Sequence, residues 1–102
     1  MEIVIKKDYA GALYVKASGK LDIDSSAEYG TTINDALDDD EEIKDLVLDF
    51  ADITYIASIG LRVLLELFQR INKDGSIKII NAQEQVLNVL KMTGFDKFLK
   101  II

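Results

Sequence analysis

The chain has 102 residues, 49% of them hydrophobic, and its 18 acidic and 12 basic side chains give a formal charge of −6. It holds no His, Cys, Pro or Trp, which removes disulfides, thiolate nucleophiles, Cys-ligated zinc, the imidazole proton shuttle and the commonest metal ligand. The acidic balance opposes the phosphate backbone of nucleic acid, so direct nucleic-acid binding and most hydrolase chemistry are set aside, and the length points to one domain over residues 1–102.

Residues 2–9 are rich in β-branched side chains, with Ile3 and Ile5 on one face. Asp8-Tyr9-Ala10-Gly11 supplies turn chemistry before Leu13, Val15 and Ala17 alternate with Tyr14 and Lys16. This pattern predicts an N-terminal hairpin with one solvated face. Gly19-Lys20-Leu21-Asp22 ends the second strand, and Asp24, Ser25 or Ser26 then caps a helix in which Tyr29, Ile33 and Leu37 recur at spacing four. The helix is expected to stop near Leu37, because Asp38-Asp39-Asp40-Glu41-Glu42 brings five negative charges to the negative end of its dipole. That block reads as a solvated loop.

Leu46-Val47-Leu48 is apolar without alternation and predicts a third strand over residues 44–50, followed by a short extended stretch over 53–56. After Ser58, the residues Leu61, Leu64, Leu65, Phe68 and Ile71 form the stripe of a second helix that ends near Gly75. Residues 76–80 are a fourth strand. Asn81, with Glu84 three residues on, predicts a capping-box variant for a third helix that buries Val86, Leu87, Val89 and Leu90 and closes at Gly94. Residues 95–102 hold Phe98, Leu99, Ile101 and Ile102 and read as one more helical turn or a short edge strand. The order β-β-α-β-α-β-α implies an α/β fold: a mixed sheet with an N-terminal hairpin, later strands parallel, and helices mainly on one face. No apolar run approaches the roughly 20 residues that span a bilayer, and the chain begins as a strand rather than a signal sequence, so no membrane insertion and a cytoplasmic location are expected.

The glycines at 11, 19, 30, 60, 75 and 94 never assemble into a phosphate-binding loop. Asp22, Asp24, Asp49 and Asp52 fall near the carboxyl ends of strands, where paired carboxylates could take a cation or act as acid and base; Asp is equally a turn and cap residue. A sharper feature is Tyr55-Ile56-Ala57-Ser58-Ile59-Gly60-Leu61-Arg62, where an extended segment passes into a helix with Ser58 at or next to the N-cap. One reading makes Ser58 a cap for the first-turn amides. The other makes it a switch, because those amides and the helix dipole favour an anion, and a phosphate there would add about −1.5 to −2 charges to a surface beside Ile59 and Leu61.

Gly19-Lys20-Leu21-Asp22, Leu46-Val47-Leu48-Asp49-Phe50, the stretch 53–65 and Lys91-Met92-Thr93-Gly94-Phe95-Asp96-Lys97-Phe98 together resemble the STAS domains of bacterial anti-sigma factor antagonists. The resemblance implies a small β/α domain without catalytic activity, metal or cofactor of its own. It implies a partner-switching role: binding to an anti-sigma factor that is also a serine kinase, reversal when that kinase phosphorylates the antagonist, and resetting by a serine phosphatase. On this resemblance Ser58 is the phosphorylated serine, Asp22 is the acidic residue of the early loop bordering the same surface, and Gly60 and Leu61 are the start of the helix that faces the partner; Ile59, which would enlarge an apolar docking patch, and Arg62 are expected on the same partner-binding surface. The family often has Asp before the serine and Ser or Ala after it; here Ala57 and Ile59 stand at those positions. Two other readings accompany this one. One is a non-phosphorylated STAS subunit of a membrane lipid transporter bound to an ATPase, and the other is a small-molecule or metal-binding module built on the four carboxylates.

Overall fold

A computed structural model describes residues 1–72 and 74–102. The two-residue alternation of the N-terminal segment forms β1 (Glu2–Lys7) and β2 (Leu13–Leu21), an antiparallel pair that places Ile5 opposite Val15. The turn between them is held by Asp8, whose carboxylate accepts the N–H groups of Ala10 and Ala12 at 2.9 Å each. Next come α1 (Ser26–Asp39), β3 (Leu46–Ile56), α2 (Ser58–Ile71), β4 (Ile77–Ile80), α3 (Glu84–Met92), a 3₁₀ turn (Phe95–Lys97) and β5 (Lys100–Ile101). The sheet order is β1-β2-β3-β4-β5, with every pair after the first parallel.

This is the expected mixed sheet, and its layering follows from the side-chain pattern. Leu13, Val15 and Ala17 of β2, Leu46, Leu48 and Phe50 of β3, and Ile77 and Ile79 of β4 are buried on one face. Tyr29, Ile33 and Leu37 of α1, Leu64, Leu67 and Ile71 of α2, and Val86 and Leu90 of α3 join them in a single apolar core. All three helices therefore cover the same face. The other face, carrying Tyr14, Lys16, Val47, Asp49, Lys78 and Ile80, is left open. Among the described residues no helix is long and apolar enough to cross a membrane.

Several sequence expectations are corrected in detail. The third strand and the extended stretch after it are one eleven-residue strand. The expected break at Ala51 and Asp52 is absent, and Asp49, which lies inside the expected strand, is only 5% exposed. Its carboxylate takes the Tyr14 hydroxyl, the Ala51 N–H at 3.0 Å and the Asn81 amide at 3.2 Å. That last bond also accounts for the failed capping box: Asn81 has φ 61° and its side chain turns to Asp49, while Gln83 is the N-cap of α3. α1 runs two residues past Leu37, where Arg70 of α2 donates to Asp38 at 2.5 Å and Lys7 to Asp40 at 3.1 Å, drawing part of the acidic block onto the protein. α2 ends at Ile71, short of Gly75; position 73 of the expected helix lies outside the described residues. The C-terminal stretch supplies both expected alternatives, a 3₁₀ turn entered through Gly94 at φ 82° and then the edge strand β5.

Candidate functional site

The segment singled out in the sequence lies at the carboxyl end of the parallel strands, where β3 gives way to α2. Ala57 is the N-cap, with extended backbone at φ −93° and ψ 172°, and Ser58 is the first helical residue. The cap reading of Ser58 is thereby corrected. No side chain caps α2, and no carboxylate stands in its first turn. The Ala57 N–H donates to the Leu21 carbonyl at 2.9 Å, and the Ala57 carbonyl accepts the Leu61 N–H at 3.1 Å. The helix start is thus fastened to the last residue of β2.

Gly60 explains how the two segments come so close. It is buried, and a Cβ placed on it would lie 2.9 Å from Ile56 Cγ1, 3.0 Å from Leu21 Cβ and 3.0 Å from the Leu21 carbonyl oxygen. Its part is to admit a close approach, and it offers no surface to a partner. Leu61 is half-buried and packs against the core. Ser58 and Arg62 are exposed, Ile59 is half-buried, and Ile59 and Arg62 line a shallow groove of about 360 Å³ between α1 and α2 with Ala27, Thr31 and Glu66.

Asp22 belongs to the loop that starts at Leu21 and so borders this end of the sheet. Its carboxylate accepts the N–H groups of Asp24 at 3.1 Å and Ser25 at 3.2 Å and the Ser25 hydroxyl at 3.1 Å. The Ser25 hydroxyl also contacts the Lys20 carbonyl. Hydrogen bonds from Ser25, with help from the Asp24 N–H, hold the Asp22 carboxyl below its usual value. Asp22 therefore shapes the loop that leads into α1. The Ser25 side chain is spent in this network and makes no cap bond, although Ser25 is the N-cap residue.

Sequence reasoning missed the exposure of two apolar side chains near this end of the sheet, one of them in the motif it singled out. Ile23, between two aspartates, is 82% exposed, and Tyr55, the register partner of Lys20, is 51% exposed. An isoleucine in an otherwise polar loop was the available signal for the first. The four candidate carboxylates do not form one site: Asp22 and Asp24 share the β2–α1 loop, Asp49 is bonded to Tyr14 and Asn81, and Asp52 lies 3.7 Å from the Lys16 amine. Among the described residues no group of three or more acidic side chains is placed to hold a metal ion.

On the open face, Tyr14 and Asp49 shift each other's titration. The hydrogen bond to Asp49, then burial and the charges of Asp49 and Asp52, push the Tyr14 phenol up to about 12. Burial works to raise the Asp49 carboxyl, but the bonds from Tyr14, Ala51 and Asn81 and the Lys16 charge outweigh it and hold the group below its ordinary value.

The model of the STAS domain family matches residues 4–102 of the chain. Among solved structures, an anti-sigma factor antagonist from Mycobacterium paratuberculosis is similar at 21% identity with a TM-score of 0.85, over 98% of this chain and 83% of that one. A STAS-domain protein from Planctomyces limnophilus is similar at 15% identity with a TM-score of 0.85, over 98% of this chain and 87% of that one. The phosphorylated form of the Bacillus cell fate determinant SpoIIAA is similar at 13% identity with a TM-score of 0.75, over 99% and 91% of the two chains. At these identities the likeness is one of fold.

Proposed function

The chain belongs to the STAS domain family, and on that premise we propose that it is a cytoplasmic anti-sigma factor antagonist regulated at Ser58. The observation that carries the proposal is the exposed Ser58 hydroxyl on the first residue of a helix whose first turn has neither a side-chain cap nor a carboxylate. Free amides and the positive end of the dipole make this the place on α2 where an added anion is best tolerated. Ile59 and Arg62 follow it on α2, Ile23 and Tyr55 are exposed on the β2–α1 loop and the end of β3, and Asp22 fixes that loop; together they offer apolar and cationic side chains to an anti-sigma factor.

The chemistry belongs to the partners. In the forward step Ser58 Oγ forms a bond to the γ-phosphorus of ATP as the bond to ADP breaks, and the hydroxyl proton passes to a base of the kinase. A serine phosphatase restores the hydroxyl with water, releasing inorganic phosphate. The phosphate places about −1.5 to −2 charges on a docking rim that had carried a neutral hydroxyl, so a partner that buries the rim meets charge it does not compensate. Release needs no refolding. Ala57, where relatives often have Asp, leaves α2 without the anionic cap that Asp would provide, so the phosphate is the first anion the helix start receives.

The test is incubation with the cognate serine kinase and ATP, followed by intact-mass measurement and partner-binding assays. One added phosphoryl group on wild type, none on Ser58→Ala, and release of the anti-sigma factor only from the modified protein are expected. Unmodified wild type would refute the switch, and co-purification with a transporter ATPase instead of a kinase would favour the lipid-transporter reading.

A further inference from the structure

We propose that the open face of the sheet is a second docking surface, which takes an acidic segment of a partner protein. One row of side chains crosses all five strands there: Lys6 opposite Tyr14, Tyr14 opposite Val47, Val47 opposite Lys78, and Lys78 opposite Lys100. Three of the five are lysines, in a chain whose net charge is −6. Among the described residues none of these three amines is in an ion pair, whereas Lys7 pairs with Asp40 and Lys16 with Asp52. Among the carboxylates on or beside the face, Asp49, Asp52 and Glu2 lie one or two rows further along the strands, Asp49 is already satisfied by Tyr14, Ala51 and Asn81, and Asp45, just before β3, accepts the N–H and hydroxyl of Ser76 at 2.9 Å each.

Lys78 and Lys100 face each other on adjacent strands, an arrangement of like charges that weakens a sheet. A local conflict of this kind is characteristic of functional surfaces. Strand spacing of about 4.8 Å puts the two amines' strands side by side and the Lys6 strand about 14 Å from that of Lys78. Two carboxylates at one end of a short segment and one at the other match this spacing. Tyr14, held by Asp49 and with Lys6 Nζ 5.2 Å from its ring centroid, forms with Val47 a small apolar centre between the charges.

Charge decides the class of occupant. An anionic bilayer would meet the whole chain, whose net charge repels it, while a narrow acidic segment meets only the row. A second copy of this chain is a poorer match, because two carboxylates of its own acidic block, Asp38 and Asp40, are engaged by Arg70 and Lys7. The row also lies away from Ser58: Ile56 is nine residue steps along β3 from Val47, about 30 Å of strand, and the helices cover the other face. An acidic partner on the row and a partner at Ser58 can therefore bind together.

The probe is a decaglutamate peptide titrated at low ionic strength into the ¹⁵N-labelled full chain. Amide shifts centred on Lys6, Tyr14, Val47, Lys78 and Lys100 are expected. Lys78→Glu should weaken the apparent affinity at least fivefold while its melting temperature equals or exceeds that of wild type, since the new carboxylate faces Lys100. Ser58→Asp should bind the peptide as wild type does, so this result stands apart from that of the proposed switch. An unshifted row, or equal affinity for wild type and Lys78→Glu, overturns the proposal. So does engagement of the row by phosphatidylglycerol vesicles or by salt-sensitive self-association in place of the peptide.

Discussion

Replacing Gly60 with Ala tests the junction on which the candidate site is built. The added methyl carbon would come within 2.9 Å of Ile56 Cγ1 and 3.0 Å of both Leu21 Cβ and the Leu21 carbonyl oxygen. All three atoms belong to Leu21 and Ile56, which are register partners in the β2–β3 pair, and the Leu21 carbonyl already accepts the Ala57 N–H. None can move without disturbing the sheet end or the bond that fastens α2. Overpacking of this kind costs about 1–3 kcal/mol, and the gain in helix propensity from Gly to Ala returns up to about 1 kcal/mol. A net loss of about 1–2 kcal/mol follows, or roughly 5–15 °C in melting temperature for a domain of this size. Urea titration followed by circular dichroism measures it, with an unchanged m-value showing that the native and unfolded states keep their extents. Gly30→Ala is the internal control, because its nearest neighbour is the side-chain Val63 Cγ1 at 3.0 Å on a half-exposed residue that can rotate away. Gly60→Ala as stable as wild type, or no less stable than Gly30→Ala, would refute the close-approach argument.

Ser58→Ala should leave stability within about 0.5 kcal/mol, since the hydroxyl caps nothing, whereas Ser58→Asp should add about 0.3–1 kcal/mol from the helix dipole while weakening anti-sigma factor binding at least about tenfold. Thermal melts and titration calorimetry on the same samples separate the two effects, and an equal loss of binding in both variants would place the docking surface elsewhere. Tyr14→Phe should cost about 1.5–3 kcal/mol by removing a donor from a buried carboxylate, and NMR titration should show Asp49 rising toward the ordinary carboxylate range. Because the folded Tyr14 phenol is pushed up to about 12 from an unfolded value near 10, its contribution is complete below pH 10 and is lost as pH climbs toward 12. Asp49, held low in the fold, contributes above about pH 4 and loses that contribution as pH falls through its folded value. Absorbance of the phenolate followed alongside circular dichroism checks the alkaline limb; loss of structure beginning well below pH 10 would contradict it. Tyr29→Phe should hold or raise stability by about 1 kcal/mol, because the buried Tyr29 hydroxyl has no hydrogen-bond partner among the described residues; a loss above about 1 kcal/mol in urea titration would show that it is bonded.

The elements were legible where periodicity decided burial. Tyr29, Ile33 and Leu37, read at spacing four, are all buried, and Ile3 and Ile5 do face the core side of the hairpin. Reading failed where a polar side chain has a distant partner. Asn81 reads as a cap because its partner Asp49 lies 32 positions away, and β3 reads as two pieces because Ala51 and Asp52 interrupt its apolar run. α2 was read with its stripe rotated: Leu67 is buried and Leu65 is exposed, since a helix with apolar residues around more than half its circumference does not announce which of them face inward. At the site, composition and helix-start chemistry directed attention to Ser58. The burial of Gly60 and the exposure of Ile23 and Tyr55 depend on how β2 and β3 end together, which a linear pattern does not encode.

The hydrogen bond from the Ala57 N–H to the Leu21 carbonyl has a consequence for time as well as for shape. It makes the serine, the neighbouring loop and the first turn of α2 one preassembled unit whose ordering entropy is already met in folding. An anti-sigma factor that is also the kinase would therefore meet a surface that is already formed. Under the proposed function, the interval between the two regulatory states is set by the turnover of the enzymes that add and remove the phosphate. The protein itself keeps no clock.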